Sequence, residues 1–241
     1  MSTPKNTINY MALDGGSQTQ SLKITIQPKH YGFAKTMNAL PVAQSEFELA
    51  CKNYPIVFIA ANAEETVLQP VVLLSLTPND NWFVHADQSW EPYCYIPAFA
   101  KKHPFQLGVD ESQQRPVVHV DQSYPGLNTD EGLAFFENGE PSEYLEQITH
   151  ALRTLHTELE QTQLWVMRLK EKNLLTQRTI TTTVADKTEQ LAGVWVVDTD
   201  KMAKLSDTEI AQMYHNGTLG LIEQHSLSLS NLDVLAQRAS I

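Results

Sequence analysis

The spacing of apolar residues along this chain switches from a strand to a helix period at Pro141, and that change sets what it can fold into. Downstream, PSEYLEQITHALRTLHTELEQTQLWVMRLKEKNLL sets Tyr144, Leu145, Ile148, Leu152, Leu155 and Leu159 three and four residues apart, the stripe of an amphipathic helix. Glu140 and Glu143 near its start suit the positive end of the helix dipole. A further helical set follows with Leu164, Trp165, Met167, Leu169 and Leu174/Leu175. One helix or two fits the pattern, with Thr162 available to cap a second.

Upstream, the period is that of strands. SLKITIQ (21–27) alternates, PIVFIAA (55–61) reads as a buried strand, and VLQPVVLLSL (67–76) reads as its hairpin partner across Asn62–Thr66. Pro70 demotes the first half of that partner to an edge or a bulge. NWFVHA (81–86) is expected as a third strand of an antiparallel meander, and FQLGVD (105–110) and PVVHVD (116–121) continue the pattern. HYGFAK is expected as a loop, and Ser45 with Glu48 as the capping box of a short helix reaching about Asn53. After the long helical segment, RTITTTV (178–184) and QLAGVWVVD (190–198) flank ADKTE as a hairpin. Ser206 and Glu209 form a second capping box, and Asn216-Gly217 a helix stop. LGLIEQHSLSL is expected as strand or loop before a last short helix, NLDVLAQR. The expectation is an α+β protein: a mostly antiparallel sheet, a long helical segment packed on it and a C-terminal β-hairpin/helix unit. Residues 1–20 are expected to be loosely held and 21–241 to form one domain, with 162–241 as a candidate C-terminal lobe.

Composition narrows function by exclusion. The chain has 28 acidic against 17 basic residues, a formal charge of −11, which argues against a nucleic acid or an anionic membrane as partner. Cys51 and Cys94 make no disulfide framework. The N-terminus lacks the charged and apolar regions of a signal peptide, and no apolar run is long enough to span a membrane. A soluble, cytoplasmic protein is expected.

One stretch concentrates rings and prolines. Between Asn81 and Leu107 lie Trp82, Phe83, Trp90, Tyr93, Tyr95 and Phe99, punctuated by Pro92, Pro97 and Pro104. Aromatics bury large areas yet want a polar anchor, and prolines stiffen the backbone, so this is a rigid aromatic turn leading into a short helix. Trp90 and Tyr93 flank Glu91, Tyr95 follows, and Lys101 and Lys102 lie close behind. Rings, a carboxylate and cations together suit a peptide segment held by stacking and end-charge pairing. The competing reading is a core corner. His225, with Ser226 and Ser228, is a second candidate, against the reading of a polar connection.

Reactive machinery is scarce. His85-Ala-Asp87 and His119-Val-Asp121 are both H-x-D, the spacing with which a strand presents two ligands of a non-haem iron site, with His225 as the distal third. The motif is short and occurs twice, so a half-exposed strand end is the ordinary explanation. There is no G-x-S-x-G, neither cysteine has an adjacent base, and Gly15-Gly16 lacks the strand-to-helix setting of a phosphate loop. No cofactor is expected.

NYPIVF (53–58), SWEPYCYIPAFAKKHPFQL (89–107), ENGEPSEYL (137–145), WVVDTDKMAKLSD (195–207) and NGTLGLIEQHSLSLSNLDVL (216–235) resemble, in the same order, the bacterial SapC family. The resemblance covers nearly the whole chain beyond about residue 20. It implies an association with surface-layer proteins and a link to flavin-dependent halogenases or cupin-like proteins, and supplies no catalytic residue set. Lys101-Lys102-His103 replaces an arginine-rich pattern expected after YIPAF, keeping charge without the planar fork. A peptide-transport permease shares the short name, but its membrane role does not carry over. The function expected is a non-enzymatic accessory protein that handles a peptide or protein partner in a bacterial surface or protein-modification pathway. The alternative is a metal-dependent enzyme using an H-x-D pair.

Overall fold

The computed structural model describes residues 9–62, 64, 67–110, 115–184 and 187–238. Residues 1–8 of the expected N-terminal segment, 63, 65 and 66 of the first hairpin connection, and Ala185-Asp186 of the second connection lie outside these. In chain order the elements begin with β1 (Tyr10–Ala12), β2 (Lys23–Ile24), a 3₁₀ turn at Tyr31–Ala34, β3 (Ala39–Pro41) and a 3₁₀ turn at Gln44–Glu46. Next come α1 (Phe47–Ala50), β4 (Ile56–Ala60), β5 (Leu68–Leu73), α2 (Ala98–Lys101), β6 (Phe105–Asp110) and β7 (Arg115–Asp121). Short strands β8 (Leu127–Asn128), β9 (Leu133–Ala134), β10 (Phe136–Glu137) and β11 (Glu140–Pro141) precede the long α3 (Glu143–Glu171). The chain closes with β12 (Leu175–Val184), β13 (Lys187–Val197), α4 (Thr199–Met202), α5 (Asp207–His215), α6 (Thr218–Ser228) and α7 (Asn231–Arg238). This is an α+β fold with antiparallel sheets, as the periodicity implied.

The chain forms two compact units: the described residues up to Pro28 with Lys102–His156, and Lys29–Lys101 with the described residues from Thr157 onward. In the first, β6 and β7 pair antiparallel with Phe105 opposite Val120. β1 adds to the free side of β7, Tyr10 opposite Asp121, so this part of the N-terminal segment is held in a sheet. β10 and β11 form a ribbon turned by Asn138-Gly139, both at positive φ (53° and 85°), the pair a two-residue hairpin demands. Ile24, Phe105, Val120, Tyr124 and Phe135 make the core, with Leu145 and Leu152 from the first half of α3.

The second unit holds one sheet in the order β12-β13-β4-β5-β3. Phe58 on β4 faces Pro70 on β5, and on the other side of β5 the Val42 N–H bonds to the Pro70 carbonyl. The return bond cannot form because proline has no N–H, and β3 ends at Pro41, opposite Val71. The β12–β13 hairpin shifts register between Arg178 and Ile180, where Gly193 (φ 78°) takes up a bulge. Trp165, Val166 and Leu169 from the second half of α3 pack into the core of this unit beside Phe47 and Phe58.

One open alternative closes and three local expectations change. Thr162 caps nothing: α3 runs through it as one helix, and its buried hydroxyl donates to the Glu158 carbonyl (2.6 Å) and accepts from the Gln44 N–H (2.8 Å). The residue closing the turn before α1 is Glu46, not Glu48; its carboxylate accepts from the Ala43 N–H (2.9 Å). Residues 81–86 form no strand, only a single bridge between Val84 and Trp90. LGLIEQHSLSL is helical: Ile222, His225 and Ser228 are buried three apart, so two polar residues on the inner face disguised the helical period as alternation. The Ser206/Glu209 capping box and the stop at Gly217 (φ 78°) are present.

Candidate functional site

The aromatic stretch is built from its base outward. Asn81, fully buried, donates to the Ala34 carbonyl (3.0 Å) and accepts from the Phe83 N–H (2.9 Å), while Lys35 caps the carbonyls of Asn81 and Val84. The chain then doubles back: His85 N–H bonds Ser89 O (2.9 Å) and Glu91 N–H bonds Phe83 O (2.7 Å). This folding-back, not a ladder, satisfies the backbone here.

Trp90 belongs to the core. It is 5% exposed, its indole N–H donates to the Tyr54 hydroxyl (2.9 Å), and Tyr31 meets it edge-on at 5.5 Å. Tyr54 in turn packs on Phe83 at 4.7 Å and donates to the Tyr95 carbonyl, and burial pushes its pKa well above the usual phenol range. The Tyr95 ring ends on Glu46: its hydroxyl donates to Oε1 (2.8 Å), and the Ala98 N–H donates to the same oxygen (2.7 Å). Burial first, and then the Glu46 charge, raises the Tyr95 pKa. Glu46, Tyr54 and Asn53, whose side chain accepts from the Tyr95 N–H, are the supports that sequence reading missed. Only the S-E-F-E run hinted at one of them.

Tyr93 stands apart from this closed lattice. Glu91–Cys94 is a turn closed by the Cys94 N–H on the Glu91 carbonyl (3.3 Å), with Pro92 at its second position and Tyr93 at its third. Tyr93 has φ of 64°, the left-handed value a type II turn requires there and glycine normally supplies. The residue is 105% exposed. The residue carries backbone strain and recovers no burial for it.

Charged groups ring the turn. Glu91 Oε2 is 2.8 Å from Arg238 Nη1 and 3.6 Å from His85 Nε2, and the Arg238 guanidinium lies over the Phe83 ring at 4.5 Å. Lys101 Nζ lies 4.6 Å from the centre of the Tyr95 ring. Lys102 falls in the other compact unit, where burial lowers its pKa. Of the expected surface, Glu91, Tyr93, Tyr95 and Lys101 share one unit with Trp90 beneath them.

His225 lies fully inside the second unit. Its Nε2 accepts from the Val197 N–H (3.1 Å), and burial pushes its pKa down to about 4. The ring is thus neutral and committed to a backbone amide, so it is structural. The H-x-D pairs are also occupied. Asp87 takes Lys29 and the Ser89 hydroxyl (2.6 Å), which hold its carboxyl below the usual range, while His85 turns to Glu91. Asp121 accepts from Ser123 N–H (2.8 Å) and Oγ (2.6 Å) and lies 3.1 Å from His103 Nε2. The His119 ring covers Gly108, so tightly that a Cβ there would come within 2.3 Å. Among the described residues no three His, Cys, Asp or Glu side chains gather to hold a metal.

Among the described residues no helix is long and apolar enough to cross a membrane. No curated protein and no solved structure matches the chain. A family model described as SapC does, over residues 17–235 of 241, the span on which the resemblance rested. The chain belongs to the SapC family.

Proposed function

We propose that this protein is a non-enzymatic binding protein that engages a peptide or protein partner through the turn at Glu91–Cys94, with Tyr93 as the anchor. One observation carries the reading: an aromatic residue held at positive φ with its whole ring in solvent. A tyrosine there does nothing for the fold that a glycine would not do better, whereas tyrosine and arginine, here with Arg238 held on Glu91 of the same turn, are residue types enriched in binding hot spots. Glu91 in the same turn supplies orientation beside it, and Lys101 offers a cation over the Tyr95 ring. The setting, a bacterial surface or protein-modification pathway with a flavin-dependent halogenase or cupin-like protein as neighbour, follows from the family resemblance.

Tyr93→Gly tests this, because it removes the ring and the strain together. The variant melts at the same temperature or higher, by up to roughly 1 kcal/mol in stability, yet fails to retain the partner identified by co-purification of the native protein from its host. Equal recovery of that partner by wild type and Tyr93→Gly would overturn the proposal.

A further inference from the structure

Behind the turn that carries Tyr93, the protein holds a cation of its own. Arg238, in the last turn of α7, sets Nη1 2.8 Å from Glu91 Oε2, and its guanidinium lies 4.5 Å from the centre of the Phe83 ring. His85 Nε2 stands 3.6 Å from the same carboxylate oxygen. Phe83 is buried and Tyr54 packs against it, so the guanidinium closes over a fixed ring.

A ring face and a carboxylate around one cation select arginine. The flat guanidinium can lie on the ring while its edge donates to the carboxylate, and the compact ammonium of lysine cannot do both. The contact that Arg238 makes therefore shows which side chain this place accepts.

α7 is docked without it. Asn231, at the start of the helix, donates to the carbonyls of Cys51 (2.7 Å) and Tyr54 (3.2 Å), and Leu235 and Ala236 are buried. Arg238 follows these anchors, in the part of a helix that opens most readily. Its ion pair with Glu91 is partly exposed, 27% and 24% for the two side chains, and pairs of that kind are held weakly. The guanidinium can thus leave while the rest of α7 stays in place. Glu91 and Tyr93 belong to one turn, so a side chain replacing Arg238 enters at the turn that presents the exposed ring.

We propose that the place between Glu91 and Phe83 is the seat of an arginine side chain brought by the peptide partner, and that Arg238 fills it in the free protein as an internal stand-in. The inference rests on the reading of the Glu91–Cys94 turn as the contact surface, and names the residue the partner must carry. A tethered competitor acts at an effective concentration on the order of millimolar. It therefore raises the amount of ligand needed and turns away peptides without an arginine. The acidic balance of the chain favours a cationic ligand as well.

The probe is N-acetyl-arginine amide, followed in ¹⁵N–¹H spectra of the full chain through the backbone amides of Glu91 and Cys94, which bond the carbonyls of Phe83 and Glu91. In Arg238→Gln both signals shift and saturate at roughly tenfold lower probe concentration than in wild type. In the wild type, an arm that needs no variant, the Arg238 Nε–H signal moves with them as the internal guanidinium leaves. N-acetyl-citrulline amide, of the same shape without the charge, shifts neither, and Glu91→Gln added to Arg238→Gln abolishes the response. Tyr93→Gly added to Arg238→Gln leaves the titration unchanged, so failure of this seat and failure of the Tyr93 reading are told apart. Equal affinity in wild type and Arg238→Gln, an Arg238 signal that stays in place, an equal shift with citrulline, or an unchanged titration after Glu91→Gln would each overturn the proposal.

Discussion

Glu46 takes three donors, the N–H groups of Ala43 and Ala98 and the hydroxyl of Tyr95, in a position only 5% exposed. It joins the entry of α1 to the far end of the aromatic stretch, so the loop is fixed by one carboxylate rather than by a ladder. Glu46→Ala strands all three donors and is expected to cost on the order of 3 kcal/mol in urea unfolding, whereas Glu46→Gln, which keeps one acceptor oxygen, costs less. Trp90 and Tyr93 show what remained illegible at this scale. Both are rings in one proline-rich run, yet one faces Tyr54 and the other faces water. The difference arises from a partner thirty-six positions away and from a single backbone torsion, and neither leaves a local trace. Glu91, read from the sequence as a carboxylate for a peptide partner, is paired with Arg238 at the other end of the chain, a contact that no local pattern announces.

Elements were legible where one physical signal dominated. The β4–β5 pair and the capping box at Ser206 declared themselves because apolar runs and cap chemistry agreed with the fold. α6 did not, because its buried face includes His225 and Ser228. Ser228 accepts from the Ile56 N–H (2.9 Å) and His225 from the Val197 N–H, so these polar side chains finish the ends of strands rather than face solvent. That arrangement has a pH signature. Burial is the larger cause of the low His225 pKa, opposed by the Ile56 backbone, and the folded ring stays neutral down to about pH 4. The unfolded chain takes up the proton below its ordinary value near 6.5, so the contribution is complete above that pH and is lost as pH falls from 6.5 toward 4. The loss reaches about 3 kcal/mol at most. His225→Gln, which offers the Val197 amide an acceptor that does not titrate, flattens the stability profile across that window when unfolding is followed by circular dichroism.

The molecule as a whole has an excess of negative charge, −11 at neutral pH. A surface of that sign repels polyphosphate, and the full chain is expected to pass through a heparin column unretained at about 0.15 M salt; retention there would remove the charge argument against nucleic acid. The division into two compact units, with the chain passing from one to the other at residues 28, 101 and 156, was not legible in composition: Pro28, Pro97 and Pro104 stand at or near two of the crossings but read equally as turns, and the third lies inside α3. The Glu91–Cys94 turn has a consequence for how such a protein diversifies. Position 93 meets only solvent, so under the proposed role of Tyr93 exchanging its side chain alters what is recognised without disturbing what holds the rings beneath it in place. That proposal makes preference for a ligand and resistance to unfolding separable traits, with a single codon enough to retune the first.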